Sequence, residues 1–262
     1  MAPEGSADEA EERVARCAER IQGLYGDGLE TAPGVLQPMA VWADGTGRLF
    51  TIDIGPESPE SATDRFVLGI ARARVDAIVT TGRILRDEPD VRHDYGDPDL
   101  ADWRAARCGR RGAPASVVIT RREDLDFGHP FFGAERIVVV TGKANLASLR
   151  ERAPGNVEVV GRDRTDLRET IRWLRESRGF ESVSVEAGPS TSLDLYRDPV
   201  VVDELMLSIF QAPSLPESAR GGAFLDVADV DRLFAAGVAR RSECIRDEDS
   251  GTWSYCRFSS RS

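Results

Sequence analysis

Residues 72–89 read RARVDAIVTTGRILRDEP, and this stretch decides the fold. DAIVT (76–80) is an apolar strand, preceded by a helical stretch from Ser61 to Ala73. It ends on Thr80-Thr81-Gly82-Arg83 before a polar segment.

The alternation of strand and helix continues in both directions. Downstream come strands SVVIT (116–120) and RIVVVT (136–141), a short helix ANLASLRER (144–152) and strand VEVV (157–160). TDLRETIRWLRESRG (165–179) reads as a helix with Thr165 at its N-cap and Gly179 at its stop. SVSVE (182–186), a helix after Pro189 and the strand DELMLSIF (203–210) follow. Upstream, PMAVWA (38–43) is a first strand ended by the turn pair Asp44-Gly45. Residues 8–24 carry Val14, Cys17, Ala18, Ile21 and Leu24 at helical spacing, and GDGLETAPG breaks that helix.

Strands that are apolar throughout and separated by helices indicate a buried, mostly parallel sheet. The expected fold is therefore α/β, three-layer, with helices on both faces. At the end, 237–246 and 252–258 around DEDSG read as an antiparallel hairpin added to the sheet edge. The acidic, arginine-containing loop 86–112 is long for a compact domain. It is either a partly ordered flap beside the ligand site or a mobile surface insertion.

Composition narrows the class. The 262 residues are 41% hydrophobic and 30% charged, ordinary globular values. No apolar run reaches the roughly 18 residues of a membrane helix. The acidic N-terminus MAPEGSADEAEERVA lacks an apolar signal core, so a cytoplasmic protein is expected. A net charge of −11 argues against nucleic acid or an anionic membrane as partner. It leaves room for a phosphorylated small molecule, because charges beyond about 8 Å are screened. Cys17, Cys108, Cys244 and Cys256 form no CxxC pair, and the histidines are only His93 and His129, so no metal site is expected. A Cys244–Cys256 disulfide across the terminal hairpin is disfavoured in a reducing compartment. With no GxSxG elbow and both histidines in polar or turn-like contexts, a Ser–His–Asp hydrolase is disfavoured too.

Three strand-end motifs carry candidate chemistry. Thr81, Gly82 and Arg83 offer backbone N–H groups and a guanidinium to a phosphate. Thr120, Arg121 and Arg122 suit the extra phosphate that separates NADPH from NADH. Glu186-Ala187-Gly188-Pro189-Ser190-Thr191-Ser192 lies between a strand and a helix, where short residues let a pyrophosphate approach the helix N-terminus. Taken singly, each also reads as a solvated turn or a capped helix start, and no GxGxxG occurs.

In order, these segments resemble the reductase domain of riboflavin biosynthesis, a relative of dihydrofolate reductase. The resemblance rests on VWADG (41–45), RARVDAIVTTGRILRDEP (72–89), SVVITRREDLDFGHPFF (116–132), VVVTG (138–142), SVSVEAGPS (182–190) and VVDELMLSIFQAP (201–213). It implies a dihydrofolate-reductase-like domain over 36–262 behind an N-terminal helix and linker over 1–35, using NADPH and commonly forming a homodimer. By position it places Thr81, Gly82, Arg83, Thr120, Arg121, Thr141, Gly142, Gly188 and Pro189 along the cofactor. Asp44 and Glu186 match acidic positions on the substrate side and are candidates to deliver or relay a proton. Arg65 and Arg92 are candidates for holding a substrate anion. The family's lysine and serine before the "DG" turn are replaced by Pro38 and Trp42, and its helix histidine by Gly69. Trp42 instead offers an aromatic face to a flat heterocycle.

The expected activity is reduction of a C=N or C=O bond in a small pyrimidine- or pterin-like metabolite. The nearest named activity is that of 5-amino-6-(5-phosphoribosylamino)uracil reductase. A reductase of another, secondary-metabolite pathway and a non-catalytic NADPH-binding protein are the alternatives.

Overall fold

A computed structural model describes residues 7–31, 34–241, 245–247 and 251–260. Eight α-helices among them are α1 (Ala7–Tyr25), α2 (Ala62–Ala73), α3 (Gly82–Asp87), α4 (Asp99–Arg107), α5 (Leu146–Arg152), α6 (Leu167–Arg178), α7 (Pro189–Ser192) and α8 (Val227–Leu233). The strands are β1 (Val35–Ala43), β2 (Arg48–Ile52), β3 (Ala77–Thr81), β4 (Ala115–Thr120), β5 (Ile137–Gly142), β6 (Val157–Arg162), β7 (Val183–Val185), β8 (Glu204–Phe210), β9 (Arg220–Asp226), β10 (Val238–Arg241), β11 (Ile245–Asp247) and β12 (Gly251–Ser259).

All twelve strands belong to one sheet, whose main path runs β10-β12-β8-β1-β7-β3-β4-β5-β6. From β8 to β6 every neighbouring pair is parallel. β12 then runs antiparallel between β8 and the terminal pair β10 and β11, as the hairpin reading expected. Cys256 is buried in β12, whereas Cys244 lies outside the described residues. β8 has β1 on one side and β12 on the other, so neither backbone edge of the DEL strand is open to a second subunit.

The two sheet faces separate as the period of two in a strand requires. Val35, Val79, Val117 and Val185 pack with Leu167, Ile171 and Leu174 of α6 on one face. Leu36, Trp42, Met206 and Phe210 pack with α1, α2 and α4 on the other. Helices therefore cover both faces, and the architecture has three layers. α6 starts one residue later than the sequence suggested. Asp166 rather than Thr165 is its N-cap, accepting from Glu169 N at 2.9 Å, while Gly179 closes it at φ 69°.

Loop 86–112 is an ordered part of the structure and contains α4. Leu100 and Trp103 are fully buried against α1 residues Cys17 and Ile21. Arg13–Asp102 and Arg16–Asp99 add ion pairs between the two helices, and Arg20–Asp97 ties α1 to the turn before α4. Such pairs contribute less than about 1 kcal/mol each at a surface, so the apolar contact holds the helices together. Gly69 of α2 is what lets this loop approach. A Cβ there would collide with the Tyr95 carbonyl and with Leu100.

The feature that shapes the site is a split beside β1. Val35 and Leu36 pair with β7, whereas Val41, Trp42 and Ala43 pair with the antiparallel β2, which in turn pairs with β9. Pro38 lies where one partner has ended and the next has not begun. Gly34 O accepts from Val183 N on the β7 side, while Val35 O accepts from Asp203 N on the β8 side. Strand alternation therefore turns the Pro38 nitrogen toward the split. A proline in a central strand normally removes a ladder hydrogen bond; here it removes none.

Candidate active site at the split in the sheet

In an open α/β sheet, ligands bind beyond the carboxyl ends of the strands, where the strand order reverses. Here β7, the seventh strand in sequence, inserts between β1 and β3. Adjacent strands β7, β3, β4 and β5 present, in that order, Glu186 to Pro189, Thr81 to Arg83, Thr120 to Arg122 and Thr141 to Gly142. The expected cofactor residues thus share one edge.

Their local roles differ. Thr81 caps α3 by accepting from Ile84 N at 3.4 Å. A Cβ on Gly82 would stand 3.1 Å from Thr120 Oγ1, so the glycine lets the ends of β3 and β4 close up. Thr120 Oγ1 turns the chain by donating to Arg122 O and accepting from Arg122 N. Arg83 is exposed and pairs with Asp87, and Arg122 pairs with Asp124. The Arg121 guanidinium has no hydrogen bond or ion pair among the described residues, while the Arg121 carbonyl accepts from Asn145. Thr141 is buried with its hydroxyl unpartnered. Around Gly142 and Gly188 an added Cβ would meet nothing within 4 Å, so both backbones are open to close approach. Pro189 packs against Gly222 of β9 and closes one side of the split. The helix after Gly188 is only the four residues of α7 before a 3-10 turn to Tyr196. It is too short for the dipole effect expected of it, and individual N–H groups must carry anion binding there.

Glu186 lies immediately past β7, and its N–H donates to Val79 O. Arg72 of α2 grips its carboxylate with two bonds, Nε to Oε1 at 2.8 Å and Nη2 to Oε2 at 2.6 Å. Arg72 also donates to Asp94 O at 2.7 Å, tying loop 86–112 to the site. Burial opposes charge on Glu186, but the charge and hydrogen bonds of Arg72, with His93 adding a little, outweigh it and hold the carboxyl below its usual range. Asp44 is half-buried and accepts from Thr46 N, Thr46 Oγ1 and Arg48 N within its own turn. The Thr46 hydroxyl bond is the main cause of its lowered pKa. Both carboxylates expected to deliver a proton are therefore held ionised, which suits an acceptor better than a donor.

The structure also relocates the expected substrate contacts. Trp42 is buried, donates from Nε1 to Ala212 O at 2.9 Å and packs against Phe50, so its indole is part of the core and not an open platform. Arg65 is exposed near the start of α2 and pairs with Glu60. Ser61, the N-cap of that helix, bonds to Tyr255 of β12, on the far side of β1 from Glu186. Arg92 is exposed and has no hydrogen bond or ion pair among the described residues.

Two side chains beside Glu186 escaped the sequence reading. His93, flanked by Arg92 and Asp94, lies in a polar sequence context, yet its side chain is only 1% exposed. Nδ1 lies 3.1 Å from Ser116 Oγ, and Nε2 lies 3.9 Å from Glu186 Oε2. Burial lowers its pKa to about 4, against the opposing pull of Glu186, so the ring is neutral. Glu88 caps α3, and its carbonyl lies 3.0 Å from His129 Nε2. Burial, with repulsion from Glu186 and Asp87, raises its carboxyl against the attraction of Arg72. His129 is a turn histidine, as expected, though largely buried.

A groove of about 740 Å³ lined by Arg168, Arg172, Arg175 and Phe180 opens at the amino ends of β7 and β8, away from this chemistry. Among the described residues no group of three or more His, Cys, Asp or Glu side chains is arranged to hold a metal. Nor is any helix among them long and apolar enough to cross a membrane.

No protein-family model matches the sequence, and no curated relative does. Solved structures do match. A pyrimidine reductase-like protein from Corynebacterium diphtheriae superposes with a TM-score of 0.61 at 20% identity, covering 92% of this chain and 98% of that one. RibD from Acinetobacter baumannii gives a TM-score of 0.57 at 16% identity over 87% of this chain, which spans only 58% of RibD. The riboflavin biosynthesis reductase Rib7 of Saccharomyces cerevisiae gives 0.53 at 14% identity, covering 92% of this chain and 98% of that one. In architecture, then, the chain has the fold of the pyrimidine reductases of riboflavin biosynthesis, the fold its sequence resemblance implied.

Proposed function

We propose that this protein is an NADPH-dependent reductase acting on a C=N or C=O bond of a small pyrimidine- or pterin-like metabolite. The nearest named activity is 5-amino-6-(5-phosphoribosylamino)uracil reduction. The observation that carries the reading is the row of four loops at adjacent strand ends beside the split at Pro38.

These residues suit a phosphorylated dinucleotide. Gly142 and Gly188 leave open backbone, and the Arg121 guanidinium has no partner among the described residues. When bound, NADPH supplies a hydride; the protein aligns the reactants and excludes water. Arg121 would hold the 2′-phosphate, and Thr120, Thr141 and Pro189 would line the cofactor. Glu186, held ionised by Arg72, would accept hydrogen bonds from substrate N–H groups. Glu88 is the carboxyl of this neighbourhood that keeps its proton to higher pH, and would hold the proton destined for the substrate heteroatom.

A second reading, reduction in another pathway, is favoured by Pro38 and Trp42. The split offers no cation at Pro38, and the indole at 42 is committed to the core. The same reading puts the protein in the cytoplasm, as a homodimer through surfaces other than the edges of β8. NADPH titration followed by single turnover with pyrimidine and pterin candidates tests it. Binding without oxidation favours a non-catalytic cofactor-binding protein.

A further inference from the structure

Loop 86–112 delivers one side chain into the face of the sheet. His93 sits above β4 with its ring edge-on to Phe131, 4.8 Å between centroids, and its Nδ1 is engaged by Ser116. Its Nε2 is fully buried and has no hydrogen-bond partner among the described residues. The Thr80 hydroxyl on β3 is also buried and unpartnered. The last paired residues of β3 and β7 are Val79 and Val185, so Thr80 stands beside Glu186 on the same sheet face. His93 Nε2 thus faces the outer oxygen of the carboxylate, with the Thr80 hydroxyl in the neighbouring strand position on the same face. Leaving such groups unpaired in the interior is unfavourable. The 3.9 Å from Nε2 to Oε2 is too long for a direct bond and suits a bridging atom.

The geometry points to His93 as the positioning residue for Glu186, acting through one water bound by His93 Nε2, Thr80 Oγ1 and Glu186 Oε2. Ser116 donates its hydroxyl proton to Nδ1, which leaves the ring proton on Nε2, facing the water. In the opposite tautomer Ser116 would accept from Nδ1–H and Nε2 would accept from the water, reversing the direction of the chain. Arg72 fixes the carboxylate from one side and the His93–water–Thr80 set fixes it from the other. The free lone pairs of Glu186 are thereby directed into the split. The role in catalysis rests on the reductase reading; the hydrogen-bond chain does not.

With only two histidines in the protein, ¹⁵N NMR of the full chain resolves the His93 tautomer directly. The neutral Nε2–H form is expected, and a neutral Nδ1–H form overturns the proposal whether or not any substrate is reduced. In kinetics, His93→Phe is expected to raise the substrate KM roughly tenfold, the loss of about one hydrogen bond to a charged group, with the Kd for NADPH unchanged. His93→Gln, whose amide can donate to the same water, is expected to recover most of that loss. Equal KM values in wild type and His93→Phe overturn it, as does His93→Gln behaving like His93→Phe. If the wild type reduces no candidate, the reductase reading fails, and the tautomer still decides the chain.

Discussion

Arg72 and Glu186 form a two-pronged ion pair between a helix and a strand end, with side chains only 7% and 13% exposed. Removing one partner of a buried pair strands the other charge, at a cost of about 3–5 kcal/mol. Arg72→Ala is therefore expected to lower unfolding stability by that amount in denaturant titration. Replacing both residues by apolar side chains should cost much less while still abolishing turnover. If Arg72→Ala costs under about 1 kcal/mol, the pair is not the anchor described here.

The buried histidine gives a pH dependence with a defined sign. The folded chain refuses a proton on His93 until about pH 4, whereas the unfolded chain takes one up near the ordinary value of 6.5. Stability is therefore full above pH 6.5 and falls as pH drops through that window, by about 3 kcal/mol at about 1.4 kcal/mol per pH unit. Glu186 and Glu204, both held below the usual carboxylate range, act in the same direction further down. Chemical denaturation between pH 7 and 4 should show a shallower slope in His93→Gln than in wild type.

Gly69 admits the loop that carries His93. Gly69→Ala would press a methyl group into the Tyr95 carbonyl and Leu100, an overpacking that typically costs about 1–3 kcal/mol. Hydrogen exchange should show loosening confined to 88–104. Unchanged protection there would mean that the loop docks independently of α2.

Much of this architecture was legible because buried parallel strands are apolar on both faces. The strands at 76–80, 116–120, 136–141 and 203–210 emerged near their observed bounds for that reason. β2 and β9 were not legible. Their burial is partial, β9 having one buried residue in seven, so neither presents an apolar run. α4 escaped because only Leu100 and Trp103 of its apolar positions are buried, amid acidic and basic residues. The strand-end loops were found as motifs, but their neighbourhood depends on strand order, which local pattern does not encode. His93 was misjudged because its charged neighbours point outward while it points in, an alternation visible only once the loop is docked. Trp42 was misjudged in the other direction, since nothing local signals the Ala212 carbonyl 170 residues away.

Arg121 is the residue proposed to hold the cofactor's 2′-phosphate, because its guanidinium has no partner among the described residues. Arg121→Ala is expected to raise the KM for NADPH much more than that for NADH. Arg122→Ala, whose side chain pairs with Asp124, should change both little. Equal effects of Arg121→Ala on both cofactors would remove it from that role.

The central claim is that four strand-end loops beside the split form an NADPH site. Fluorescence titration of the purified protein with NADPH and with NADH tests this most directly. The account predicts saturable binding of NADPH, clearly tighter than NADH and weakened by Arg121→Ala. No binding of either nucleotide would contradict it, as would binding indifferent to the 2′-phosphate.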